Sequence, residues 1–276
     1  MKLTHRFFSG FFFALLVIPA ALVSGLQAEE PKPTPVTEAR ELFNGKDLTN
    51  WYRYVREQGK ENDPTGVFTV QDGKICISGE KMGCITTNES FGNYRLIVEY
   101  RFTGAAMAPR ENNARDCGIL VHSQGEDGAW GKTWLYSIEC NIIEGGTGDF
   151  IVVGNGTDEF SITANIKEER SRQNCGIYDP NGKPVTIHGG RIDWWGRDPA
   201  WSDTKGFRGA QDLERPIGEW NTLEVVCDGD TITNIVNGTV ANRAFNVKPA
   251  CGKIQIQSEY AGLEFRRITI LPLKKD

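Results

Sequence analysis

The chain predicts an all-β protein, a sandwich of two antiparallel sheets with little or no helix. Three observations predict it. Short runs of alternating apolar and polar residues recur along the chain, the two-residue period of a half-buried strand. Asp72-Gly73, Asp228-Gly229 and Asn237-Gly238 stand between such runs as hairpin turn signals. No segment keeps a long helical period, and only Glu168 to Gln173 has the composition for a helical turn or two.

In chain order, the first element is a targeting segment. Lys2 and Arg6 make a basic start, Phe7 to Val23 is largely apolar, and small residues lead to Ala28, the pattern of a secretory signal peptide over residues 1–28. The rival reading is a permanent anchor. Ser9, Gly10 and Pro19 interrupt an apolar run already near the lower limit for spanning a bilayer, which favours cleavage after Ala28. The expectation is a periplasmic or secreted protein with no stable membrane anchor. Residues 29–38 (EEPKPTPVT and Glu38) read as a semi-extended, Pro-rich linker without a core.

Residues 39–275 form one domain, because about 248 mature residues suit a single large all-β unit. Strands are expected at Phe68–Val70, Lys74–Ser78, Tyr94–Phe102, Cys117–Val121, Trp134–Ile142, Phe150–Val153, Thr222–Cys227, Thr231–Val236, Lys253–Gln257 and Leu263–Leu271. The clearest is Tyr94–Phe102, where Tyr94, Leu96, Val98, Tyr100 and Phe102 alternate with Arg95, Ile97, Glu99 and Arg101. Asn174 to Pro216 breaks the rhythm. It is Gly/Pro-rich yet carries Trp194, Trp195 and Trp201, so it reads either as a lid over a sheet edge or as a wall of a binding cleft.

Removing the signal peptide leaves 29 basic against 36 acidic residues, a formal charge of −7. A modestly acidic chain without a basic stripe argues against nucleic acid. All seven cysteines lie in the exported part. Their odd number, and the core-facing phase of Cys140 and Cys227, favour mostly buried thiols with at most one or two bridges; Cys76 and Cys84 flank a turn and could pair.

The candidate site lies between Cys117 and Phe150. Tyr136, Ile138, Cys140 and Ile142 alternate with Ser137, Glu139 and Asn141, so Glu139 and Asn141 share the face away from the core. His122 has the phase of Leu120 on the preceding run, and neighbouring strands would bring it to Glu139. Arg101 and Gln257 occupy polar phases of their own strands. The turn Gly145-Gly146-Thr147-Gly148-Asp149 could set Glu144 and Asp149 beside a ligand or a divalent cation, although a plain turn explains it too. No G-x-S-x-G elbow, phosphate loop, dinucleotide fingerprint or H-E-x-x-H motif is present, and no cysteine or histidine spacing indicates zinc.

A family resemblance gathers these features. Leu42-Phe43-Asn44-Gly45-Lys46-Asp47-Leu48 with Trp51 is similar to the opening of the 3-keto-disaccharide hydrolase domain, the 3-keto-glucoside-1,2-lyase/3-keto-2-hydroxy-glucal hydratase family. Phe91-Gly92-Asn93-Tyr94, Glu99-Tyr100-Arg101, Cys117-Gly118-Ile119-Leu120-Val121-His122, Ser137-Ile138-Glu139-Cys140-Asn141 and Gly218-Glu219-Trp220-Asn221 follow in the family's order. Gly252 to Glu259 and Glu264 to Ile268 complete it. Two positions depart: Asn141 stands where the family usually has Gln, and Cys117 where it usually has Asn or Ser.

The resemblance implies a concanavalin A-like jelly roll acting on 3-keto-glycosides. A 3-keto group acidifies the C2 proton, so a base can remove it, the C1 substituent departs by β-elimination, and water can add to the enone. That route needs a base, a proton donor and a stabiliser of the enolate. The resemblance and the strand phases together nominate Glu139 and His122 as catalytic residues. Asn141, Arg101, Gln257, Glu144, Asp149, Trp194 and Trp195 are nominated to hold the sugar, with a divalent cation as an optional cofactor. The alternative from a different class is a non-catalytic carbohydrate-binding jelly roll, which would keep its aromatic residues without needing Glu139 and His122 together.

Overall fold

The computed structural model describes residues 32–274; the signal peptide expected over residues 1–28 lies outside the described residues. Among the described residues there are nineteen strands and no helix. They are β1 (Arg40–Glu41), β2 (Trp51–Val55), β3 (Gly59–Lys60), β4 (Phe68–Gln71), β5 (Lys74–Ile77), β6 (Gly83–Thr87), β7 (Tyr94–Ala106), β8 (Asp116–Gln124), β9 (Tyr136–Ile143) and β10 (Phe150–Val153). The chain continues through β11 (Ser161–Arg170), β12 (Gly176–Tyr178), β13 (Lys183–Ile187), β14 (Gly190–Asp193), β15 (Asn221–Asp228), β16 (Thr231–Val236), β17 (Thr239–Lys248), β18 (Lys253–Ser258) and β19 (Ala261–Leu271).

The first sheet runs β4-β5-β19-β7-β15-β16-β17, with β1 also on β19. The second runs β3-β2-β6-β18-β8-β9-β10-β14-β12-β11-β13. All pairings are antiparallel except β12 with β14. β17 pairs with β16 in the first sheet and β11 in the second, so one strand joins the two layers. The all-β sandwich expected from the alternating runs is the observed fold.

The core lies between the sheets. Tyr94, Leu96, Val98, Tyr100 and Phe102 of β7 face Cys117, Ile119, Ile138, Cys140 and Ile142 of β8 and β9 within one apolar cluster. Each of these faces is the apolar phase of its strand, and burying it is the dominant gain on folding. Several local expectations change. Glu168 to Arg170 extend β11 as strand, so no helical turn forms there. The Asn174–Pro216 segment contains β12, β13 and β14, and only the part after Asp193 is irregular. The linker is not free of contacts: Thr34 N donates to Ser90 O at 2.8 Å and Val36 packs on the core. Cys76 and Cys84 sit in different sheets as free thiols, so no hairpin bridge joins them.

Candidate active site

Strand register assembles the site. Arg191 (β14), Ile151 (β10), Glu139 (β9), Leu120 (β8), Gln255 (β18), Thr86 (β6) and Tyr52 (β2) are successive cross-strand partners. Directly opposed residues point to the same face, and neighbouring strands lie about 4.8 Å apart. This row therefore crosses the outer face of the second sheet, with Glu139 near its charged end. Gly118 opposes Asn141 one step along, and Gln257 opposes Cys84. Asp116 and Glu259 pair at the next step.

Glu139 is buried, and its Oε1 accepts a hydrogen bond from Asn141 Nδ2 at 2.8 Å. The same amide donates to Asp116 Oδ1 at 3.1 Å and to Cys117 O at 3.2 Å. Gln257 also hydrogen-bonds Glu139. Gly118 makes this possible, because a Cβ at that position would overlap both Glu139 Oε1 and Gln257 Oε1. Burial and the neighbouring Asp116 push the Glu139 carboxyl up to about 8, while Asn141, Arg191 and Gln257 oppose the rise. Burial raises Asp116, against the lowering effect of Arg110 and Arg191. Glu259 is raised by burial, by Asp116 and by Glu139, and shares a hydrogen bond with Asp116. Two buried acceptors remain without a partner, Asn141 Oδ1 and Gln257 Oε1. Buried polar atoms are normally bonded, so such orphans mark a place for a donor-bearing ligand.

The structure therefore brings Glu139, Asn141 and Gln257 together with Arg191, from the segment read as a lid or cleft wall, and adds Asp116 and Glu259, which sequence reasoning missed. Their signal was the Gly118 motif: the residue two positions before it and Glu259, two positions after Gln257, keep the same strand phase.

Other nominated residues lie elsewhere. His122 does not meet Glu139. The β8–β9 register slips between Val121 and Gln124, and His122 takes a left-handed φ of 55°. Its ring turns into the core, edge-on to Tyr94 at 6.2 Å, with Nδ1 2.8 Å from Pro249 O. Burial holds it down to about 4, so the ring is a neutral core histidine. Arg101 belongs to the other sheet, where it pairs with Glu264 at 2.6 Å and lies over Trp220. Trp220 is half-buried on that outer surface, not in the core.

Glu144 is consumed by Arg115 Nη1 at 2.6 Å and by the Arg115 and Gly206 backbone amides. Asp149 is consumed by Arg191, Arg197 and the Trp194 amide. Trp194 is buried in the core, and Trp195 packs beside it with Nε1 donating to Val240 O at 2.9 Å. The polar groups of these four residues are engaged within the protein, where they hold the loops around β14. Among the described residues, no three His, Cys, Asp or Glu side chains are arranged to hold a metal ion. The carboxyl groups on the site face are instead engaged with Asn141, Gln257 and one another.

The sequence profile of the 3-keto-alpha-glucoside-1,2-lyase-like domain matches residues 38–271, and the chain belongs to that family. No curated protein matches the sequence. Among solved structures, the chain is similar to a protein of Parabacteroides distasonis ATCC 8503 named as a candidate glycosyl hydrolase, at 17% identity and a TM-score of 0.51, covering 86% of this chain and 94% of that one. A second such protein from the same organism aligns at 20% identity and a TM-score of 0.47, covering 86% and 100%. The first likeness supports the shared fold.

Proposed function

We propose, from membership in the 3-keto-alpha-glucoside-1,2-lyase-like family, that this protein cleaves 3-keto-glycosides by β-elimination, with Glu139 as the base. The single observation that carries the reading is the Glu139 carboxyl, raised to about 8 on a surface of amides and charged groups. A base for a proton α to a ketone works best with a pKa near the working pH. Burial supplies that value and strengthens the local electrostatics.

In the proposed reaction the substrate C2–H bond breaks to Glu139, the electron pair forms C1=C2, and the C1–O bond breaks. Arg191 stabilises the negative charge that develops on the 3-keto oxygen, and the free side-chain oxygens of Asn141 and Gln257 accept hydrogen bonds from the sugar hydroxyls. The carboxyl pair Asp116–Glu259, in which burial favours the protonated form, supplies a proton to the departing oxygen. Hydration of the enone runs through the same groups in reverse.

The test is turnover of 3-keto-disaccharides by wild type and Glu139→Gln, with unoxidised disaccharides as controls. Wild type should release the leaving sugar from oxidised substrates alone, and Glu139→Gln should lose on the order of 10²–10⁴ in rate. Because the base must be ionised, kcat/KM should rise with pH through about 8. Equal binding by both proteins with turnover by neither would favour the carbohydrate-binding alternative. The basic, apolar amino-terminal segment supports export; recovery of a periplasmic or secreted form beginning at Glu29 is the check.

A further inference from the structure

The half of the site face beyond Leu120 is covered by the loop at residues 125–135, and that loop is firmly held. Asp127 accepts a hydrogen bond from Tyr52 at 2.7 Å and pairs with Lys60 at 3.2 Å. Gly128 takes a φ of 82° with Tyr54 Oη so close that a Cβ there would overlap it. The Leu135 amide donates to Gln255 Oε1 at 3.1 Å. Trp134 is buried on Leu120 and Cys84, with Nε1 donating to Gly83 O at 3.3 Å.

On this base Trp130 stacks against Trp134, ring centroids 5.4 Å apart and planes at 27°. Unlike the other members of the stack's base, Trp130 is 39% exposed, one of three exposed large hydrophobic residues among those described. Water gains nothing from a fixed, half-open indole. Its surroundings do not need it either, since Trp134 already seals Leu120 and Cys84.

We infer that Trp130 is a stacking platform for the second sugar ring of the substrate, the one that leaves. The argument rests on the reading of Glu139 as the catalytic base. Leu120, under Trp134, is the direct cross-strand partner of Glu139, so the aromatic stack is founded on the strand next to the one that carries the carboxyl group, with Trp130 as its exposed member. Stack and carboxyl group share one face of the second sheet. The charged end of the row, toward Arg191, takes the keto ring; the aromatic end takes its neighbour. A pyranose presents an axial C–H face to an indole, and a large rigid aromatic buries that face at little entropic cost. Trp130 is thus a specificity residue that selects for a sugar leaving group over a small one.

The test compares wild type, Trp130→Ala and Trp130→Phe on a 3-keto-disaccharide and on the matching 3-keto methyl glycoside. Trp130→Ala should raise KM for the disaccharide on the order of tenfold, the equivalent of one good aromatic contact. Its kcat should be nearly unchanged, the methyl glycoside should be handled within about twofold of wild type, and Trp130→Phe should recover most of the loss. Equal losses on both substrates, or no loss on either, would overturn the inference. Calorimetric titration of the same disaccharide into each protein separates the two readings. If wild type binds it and turns nothing over, the elimination chemistry fails while weakened binding by Trp130→Ala still upholds the platform; unchanged or absent binding rejects the platform itself.

Discussion

Glu139 and His122 both lie on the β8–β9 pair, yet burial moves them in opposite directions. The Glu139 carboxyl rises to about 8 and the His122 ring falls to about 4. Both shifts keep the neutral form, which is the form burial favours. Their linkage to stability has opposite signs. His122 is depressed below its ordinary 6.5, so its contribution is present above about 6.5 and is lost as pH falls toward 4. Glu139 is raised above its ordinary 4.5, so its contribution is present below about 4.5 and is lost as pH rises through 8. Denaturant unfolding across pH 4–9 should therefore show a flatter acid limb for His122→Asn and a flatter alkaline limb for Glu139→Gln. Asparagine is chosen at 122 because it tolerates a positive φ. Parallel pH profiles in all three proteins would refute the assignment. The phase of Glu139 was legible from alternation, and that of His122 was not. One bulge residue reverses every later side chain, and the sequence Val121-His122-Ser123 carries no glycine to announce it.

At the scale of elements, strict alternation made some strands legible, and its absence hid β6. β16 alternates strictly over the bounds expected, and β7 does so through Phe102, its expected end, before running on to Ala106. β6 is buried along its whole length, so Gly83–Thr87 shows no period to detect. Arg101 illustrates a different loss. Its outward phase was correct, but a period of two does not say which of two sheets a strand joins, and Arg101 faces outward from the wrong one. The irregular segment after β14 was marked by its tryptophans, while the reason it is ordered lies in Asp149. This buried carboxylate pairs with Arg191 at 2.9 Å and with Arg197, and accepts from Trp194 N at 2.7 Å. Asp149→Ala leaves the buried Arg197 guanidinium with only the more distant Asp193 at 3.7 Å as a charge partner, and breaking a buried pair costs about 3–5 kcal/mol. Hydrogen exchange should accelerate from Gly190 to Trp201 while β7 keeps its protection, and substrate affinity should fall because Arg191 loses its anchor. Uniform acceleration across both sheets would show that Asp149 supports the whole fold, not this segment.

Over the whole molecule, the joining strand β17 and the single core decide how the sandwich comes apart. The family motifs fixed the architecture in the sequence reading, because they span the chain in order and each sits at a turn or strand that the fold needs. What they left open was the coupling between layers. Cys84, Cys117 and Cys140 lie in the second sheet and Cys227 in the first, all four buried as free thiols. Burial raises each thiol, by itself enough to suppress the reactive thiolate. Cys117, Cys140 and Cys227 face the shared core, whereas Cys84 lies beneath Trp134 on the outer face. If the sheets separate only in one cooperative step, a thiol reagent should modify Cys117, Cys140 and Cys227 at a common rate that follows global unfolding in denaturant. Cys84 should react sooner wherever the 125–135 loop lifts locally, because its cover is that loop and not the opposite sheet. Peptide mapping of labelled cysteines against time distinguishes the two classes. A Cys227 rate that departs from those of Cys117 and Cys140 would mean that the first sheet opens independently, and that β17 does not bind the two layers into one folding unit.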